Sequence, residues 1–417
     1  MLASINKVVS ALSSAFLMYV AVFLLLTAGV LSFGGGVYAG RLLIYAAALV
    51  MTFLALSRIK LRLRGFRAGV KLKYCYEVVV LATIAFVLLH WYFMGGVPLL
   101  RAFSSSDAME IVLIRQRVTE HAGFAWNYGS ALILRAVLPF FLFYGFAARK
   151  RLQPLLVVVA FCYSISLLQK SHVFMVFMPV IIFALLRKRF LPAVFLGGVA
   201  VAGVGVLLLA TAPEYRPAAA GEVAVAKYQG HQLIVARYSA LERVAALSKA
   251  VADRTLWVPG MVVKQWFDLI PAEIPFQEGC GYRFLAPALG CEHYNLPLEV
   301  YGKLYPEMTE KGVKGSVNVA SFMEDYANWG RAGLLFSGIL LGTLLWLLRS
   351  LFGKDWVGEA ALNAIPILSL SSAALSTTLL SGGWLATLFL YYMFRDDFQA
   401  KEVESGRVAD PLAFGRQ

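Results

Sequence analysis

Two adjacent carboxylates, Glu324 and Asp325, stand in Ser321-Phe-Met-Glu-Asp-Tyr-Ala-Asn-Trp-Gly-Arg-Ala-Gly333, which runs straight into an apolar stretch. A carboxyl group close to hydrocarbon is desolvated, which raises its proton affinity, and a neighbouring cation lowers it again. Held beside arginines at a dry interface, such a carboxylate can take a proton from a hydroxyl. The same acids would also favour a helix N-terminus through its dipole. Cations that could serve the same chemistry are spread along the chain. Arg135 lies within Ala131-Leu-Ile-Leu-Arg-Ala-Val-Leu-Pro139, where it either snorkels to an interface or contacts an anion. Lys170 and His172 occupy the very short turn Gln169-Lys-Ser-His172, as interfacial anchors or facing an anionic group at headgroup depth. Residues 232–252 read as an amphipathic helix with Ile234, Tyr238, Leu241, Ala245 and Ser248 on one face. At about 100° per residue Arg237 falls inside that stripe and needs an anionic partner, while Arg243 falls opposite, beside Glu242 and water. Downstream of Met94-Gly-Gly-Val-Pro98, a surface helix would deliver Arg115 and Arg117 to headgroups or substrate.

The elements that must position these groups are membrane spans. The 417 residues are 60% hydrophobic and 15% charged, far below the charge of a soluble domain, so the expected class is an all-α polytopic membrane protein. Apolar segments near 10–32, 42–57, 76–94, 128–147, 154–168, 173–186, 191–211, 332–348, 358–377 and 383–394 give about ten transmembrane helices. The first is read as a retained helix, with no small-x-small site closing it. Residues 1–211 form an N-terminal bundle of about seven helices, 212–331 a large polar loop domain, and 332–417 the C-terminal helices and tail. Basic loops follow the second, fourth and sixth spans: Arg58-Ile-Lys-Leu-Arg62 with Arg64, Arg149-Lys-Arg151 and Arg187-Lys-Arg189. Arg349 and Lys354 follow the eighth, and all fall on one side, which is then cytoplasmic with both termini. The formal charge of +14 is largely this topogenic charge and argues against nucleic-acid binding.

Of the four cysteines, Cys75 and Cys162 sit at or in spans, whereas Cys280 and Cys291 share the outer loop, where a disulfide suits an oxidising compartment. The alternative is a pair of free thiols. Neither CxxC nor paired histidines accompany them, so no metal is expected. The chain has no GxxxxGK[ST] loop and no soluble ATPase domain, so energy must come from the substrate or a gradient. The absence of an internal repeat argues against inverted-repeat transporter folds. Cations and carboxylates on one outer face suit a substrate with a lipid tail, an interfacial diphosphate and a polar head. The cations would stabilise the departing diphosphate, and Glu324, Asp325 or His172 would accept the incoming hydroxyl's proton.

Three stretches carry a family resemblance: Gly95-Gly-Val-Pro-Leu-Leu100 with arginines downstream, Gln232-Leu-Ile-Val-Ala-Arg-Tyr-Ser-Ala-Leu-Glu-Arg243, and the Ser321–Gly333 motif. Together with the topology they resemble the Wzy-type O-antigen polymerases, which join oligosaccharide repeat units. The resemblance implies a GT-C-like, metal-independent inverting glycosyltransferase of the bacterial inner membrane, without cofactor and with its large loop periplasmic. It implies an undecaprenyl-pyrophosphate-linked oligosaccharide as substrate and a chain-length-setting polysaccharide co-polymerase as partner. Arg237 and Glu324 are similar to the family's functional positions, and Lys170 with His172 stands where the family often carries arginine. An O-antigen ligase would use the same donor. A flippase for lipid-linked sugar would line several spans with charge, whereas here the intramembrane charge is read near the outer face.

Overall fold

The computed structural model describes residues 13–59, 61, 75–105, 110–111, 113–114, 123–211, 225–228, 231–234, 257–310 and 315–404. In chain order its principal helices are α1 (Ser14–Ser32), α2 (Ala39–Leu56), α3 (Cys75–Phe93), α4 (Pro98–Ser104), α5 (Gly123–Leu132) and α6 (Leu138–Ala147). There follow α7 (Gln153–Ser166), α8 (Lys170–Leu186), α9 (Phe190–Thr211), α10 (Val258–Leu269), α11 (Ala286–Leu289) and α12 (Leu296–Leu304). The last are α13 (Pro306–Glu310), α14 (Ser321–Phe352), α15 (Trp356–Ser369), α16 (Leu375–Leu379) and α17 (Trp384–Glu404). A two-stranded antiparallel hairpin, β1 (Val225–Tyr228) and β2 (His231–Ile234), pairs Val225 with Ile234. The amphipathic helix expected from residue 232 therefore does not begin there: residues 232–234 are extended and paired, a ladder that alternation in a short apolar run permits as readily as a helix.

Among the described residues six helical segments are long and apolar enough to cross a membrane: Ser14–Ser32, Gly35–Leu56, Cys75–Phe93, Ala125–Ala147, Phe190–Thr211 and Ser321–Phe352. The apolar helices α7 and α8 are shorter. Large side chains such as Leu24, Leu43, Met51, Leu81, Leu191 and Phe195 are exposed on these helices. In water that would be a liability; in a bilayer it is the lipid-facing surface, with the helices satisfying their own backbone polar groups.

The chain divides into two compact units. The first comprises Met1–Leu63 and Leu241–Thr378. Its spine is α14 against α2, made possible by Gly338-Ile-Leu-Leu-Gly342. A Cβ at Gly338 or Gly342 would lie 2.7 Å from the carbonyl oxygens of Tyr45 and Leu49, so only glycine lets the backbones approach this closely. A second glycine crossing joins α1 to α10, where a Cβ on Gly29 would sit 3.1 Å from Gly260 Cα. The N-terminus of α1 is capped from a distance: the buried Glu359 carboxylate of α15 accepts from the Ser13 hydroxyl and from Ser14 N–H at 3.2 Å.

The second unit comprises Arg64–Ala240 and Leu379–Gln417. Here α8 packs on α6 and α9, and α17 packs on α6 through Phe394, whose ring lies 5.5 Å from Phe141 and 5.0 Å from Tyr144. Between α5 and α6 the helix widens into a π turn, Ile133–Val137. Pro139 has no N–H to give the carbonyl of Arg135 four residues back, and Leu138 N–H bonds Ile133 instead.

Candidate functional site

In the first unit the chemistry gathers where α14 breaks. Trp329 (φ −132°, ψ 17°) and Gly330 (φ 58°, ψ −133°) leave helical geometry, the latter in a region essentially reserved for glycine. The break releases the carbonyls of Ala327 and Asn328, which accept from Gln277 N–H and Glu278 N–H at 3.0 Å each. The fully buried Asn328 side chain completes the junction. Its Oδ1 accepts from Gly279 N–H (3.1 Å) and Gly281 N–H (3.0 Å), and its Nδ2 donates to the Glu324 carbonyl at 2.8 Å. The turn thus gripped contains Cys280, joined by a disulfide to Cys291 with Cα atoms 6.0 Å apart. The asparagine and glycines of the Ser321–Gly333 motif therefore have a structural task, which is to weld the loop at residues 277–281 to a broken membrane helix.

This weld gives the two carboxylates different surroundings. Asp325 is buried at 7% exposure and accepts from the Tyr282 hydroxyl, with the Ser337 hydroxyl as a further partner. Burial first, and then the charge of Asp325, pushes the Tyr282 phenol above the ordinary tyrosine range, so it remains a donor. Glu324 is half-buried, and its side-chain partner is the Ser376 hydroxyl. Glu324 is therefore the carboxylate open to a substrate, and Asp325 is engaged in holding the loop. Tyr19 and Tyr45, whose hydroxyls bond each other, lie buried beside Ser321.

The sequence reading passed over Arg41, which this unit also brings to the motif. Its Nη1 donates to the Tyr326 hydroxyl at 2.7 Å, and its guanidinium carbon lies 5.0 Å from the Tyr38 ring, 5.4 Å from Phe267 and 5.3 Å from Tyr326. A signal was present: Arg41 is the single charged residue between Lys7 and Arg58.

The second unit holds a separate cluster. Arg135 sits in the π turn, and its Nη1 donates to the Ser381 carbonyl at 3.0 Å. Gly383 (φ 77°) lies so close that a Cβ there would be 3.1 Å from Arg135 Cβ. His172, in the first turn of α8, is 5% exposed and within electrostatic range of Arg135. Among the described residues, Arg135 Nε and His172 Nδ1 are both buried without a hydrogen-bond partner. Lys170, the first residue of α8, is exposed. Buried polar atoms left unpaired are unfavourable by about 1–3 kcal/mol each, more for charged groups. A cation beside an imidazole with an unpaired Nδ1, at a helix N-terminus whose cap residue Gln169 makes no side-chain capping bond, is an arrangement an oxyanion would complete.

Arg117, Arg237 and Arg243 lie outside the described residues. The described residues contain no group of three or more His, Cys, Asp or Glu side chains that could hold a metal ion. No family model, curated protein or solved structure matches the chain.

Proposed function

We propose that this protein is a glycosyltransferase of about ten spans in a bacterial inner membrane. Its reaction joins undecaprenyl-pyrophosphate-linked oligosaccharide repeat units into surface polysaccharide at the periplasmic face. The observation that carries this reading is the division of labour at the α14 break. Asp325 is tied to Tyr282 and Ser337, while its neighbour Glu324 stays half-open at the end of a membrane helix. The unpaired Arg135 and His172 atoms support it as a place for a phosphate oxyanion.

In the reaction, an acceptor hydroxyl oxygen forms a bond to the anomeric carbon of the donor while the bond from that carbon to the diphosphate oxygen breaks. The acceptor proton passes to Glu324, and the undecaprenyl diphosphate leaves as an anion. Arginine supplies fixed donors and a permanent charge, so the diphosphate can be stabilised through this chain's own side chains.

The test is deletion of the gene in its host, with surface polysaccharide resolved on a gel. Loss of the ladder with a single repeat unit still attached to lipid A core supports a polymerase. Loss of every repeat, with long polymer retained on the carrier lipid, replaces this reading with a ligase. Loss of both replaces it with a flippase. An unchanged ladder removes the polysaccharide reading altogether.

A further inference from the structure

In the first unit three rings from separate segments enclose a cation: Tyr38 precedes α2, Phe267 belongs to α10 and Tyr326 to α14. That cation, Arg41, is placed against its own helix. It lies in the first turn of α2, where the dipole disfavours positive charge, and no acidic residue shares that turn. Its surroundings do not neutralise it either. The nearby Asp268 carboxylate is engaged by the Tyr38 hydroxyl at 2.6 Å and by Lys264 Nζ at 2.6 Å. The ion pairs among the described residues do not include Arg41. The Tyr326 hydroxyl, which accepts from Arg41, donates onward to the Ile270 carbonyl at 3.1 Å and so is fixed at both ends. Three rings and one anchored hydroxyl hold the guanidinium in place, most of its five N–H donors meet no acceptor among the described residues, and Arg41 itself is only partly buried.

From this geometry we infer that Arg41 is a binding site for a substrate oxyanion, either a phosphate oxygen of the carrier or the carboxylate of an acidic sugar. The inference rests on the reading of this protein as acting on lipid-linked glycans. A planar, pre-oriented guanidinium binds such groups through paired N–H donors, a geometry lysine does not reproduce. Tyr326 follows Asp325 directly in the chain, so an anion on Arg41 is tied to the same helix turn that carries Glu324.

The test uses the full-length protein in nanodiscs of phosphatidylcholine, with the unfolding midpoint followed by intrinsic fluorescence. The probes are sodium diphosphate and, separately, a galacturonic acid oligomer. The wild type should gain stability with one of them, identifying phosphate or sugar carboxylate as the source. Arg41→Met should lose that gain, and Arg41→Lys should bind roughly tenfold more weakly. Tyr326→Phe keeps the cation and its ring box but removes the anchoring hydroxyl. It should weaken probe binding several-fold, and it serves as the test variant if Arg41→Met fails to fold. Equal probe binding by wild type, Arg41→Met and Tyr326→Phe overturns the inference. So does loss of the wild-type response when phosphatidylglycerol is added to the nanodisc, because the occupant is then a lipid headgroup. Probe binding is read without any glycan product, so an unchanged ladder in the deletion strain would remove the functional reading while leaving the Arg41 oxyanion site standing.

Discussion

Asn328 joins the loop at residues 279–281 to the broken helix, and its replacement can be followed quantitatively. Asn328→Ala removes the acceptor of two buried N–H groups, Gly279 (3.1 Å) and Gly281 (3.0 Å), and the donor to the Glu324 carbonyl (2.8 Å). Each stranded N–H costs about 1–3 kcal/mol, and the lost donor adds about 1 kcal/mol. The amide is fully buried, so water offers little replacement, and the expected loss is about 3–7 kcal/mol. A partner substitution tests the geometry itself. A Cβ on Gly281 would lie 2.8 Å from both Oδ1 and Nδ2 of Asn328 and 2.9 Å from Leu296 Cδ1, so Gly281→Ala alone should cost about 1–3 kcal/mol by overpacking. In the Asn328→Ala background most of that obstruction is gone, and the double variant should be more stable than the sum of the singles by about 1 kcal/mol or more. The assay is chemical unfolding of the four proteins in one detergent, followed by circular dichroism. A loss below about 1 kcal/mol for Asn328→Ala, or strict additivity in the cycle, refutes the reasoning.

Three further outcomes are expected. Replacing Cys280 and Cys291 by serine opens a cross-link across a sequence separation of 11, worth about 3 kcal/mol on the loop-entropy account. Non-reducing gel mobility with and without alkylation checks that the bond forms, and limited proteolysis reads its loss. Asp325→Ala strands the Tyr282 hydroxyl and should destabilise by about 2–4 kcal/mol, whereas Glu324→Gln should leave the unfolding midpoint nearly unchanged and lower turnover more than donor binding. Equal stability losses in the two would contradict their assigned roles. Arg135→Leu removes a partly buried cation with an unpaired Nε, so the protein should unfold at the same or higher denaturant while chain extension is lost; retained polymer would exclude Arg135 from substrate contact.

The helices were legible wherever composition alone decides them, because a long apolar run has one stable form in a bilayer. The Ser321–Gly333 motif stood out as two acids beside hydrocarbon, but its fold did not. Nothing in the sequence says that Gly330 takes φ 58° and ψ −133°, or that the freed carbonyls of Ala327 and Asn328 meet residues 277–278, some 50 positions earlier. The separation of Glu324 from Asp325 depends on Tyr282, whose role only this long-range junction reveals. Arg41 was overlooked because a cation at the head of an apolar helix resembles an interfacial anchor; its three rings come from distant segments. Extended pairing at 231–234 against an expected helix shows the ambiguity of short apolar runs, where periods of 2 and 3.6 both fit.

The break in α14 should also make the protein sensitive to bilayer thickness. Residues 331–352 rise about 33 Å at 1.5 Å per residue, slightly more than the roughly 30 Å of a typical hydrocarbon layer. A thinner layer is met by tilting such a segment and a thicker one by drawing it upright. Residues 321–328 do not share its axis and are fastened to the loop around Cys280, so a tilt of the long arm changes the angle at Gly330. Turnover in lipids of graded acyl length should therefore pass through an optimum, and Glu324→Gln should flatten that curve. Acyl-chain length would then act on this protein as a control on catalysis.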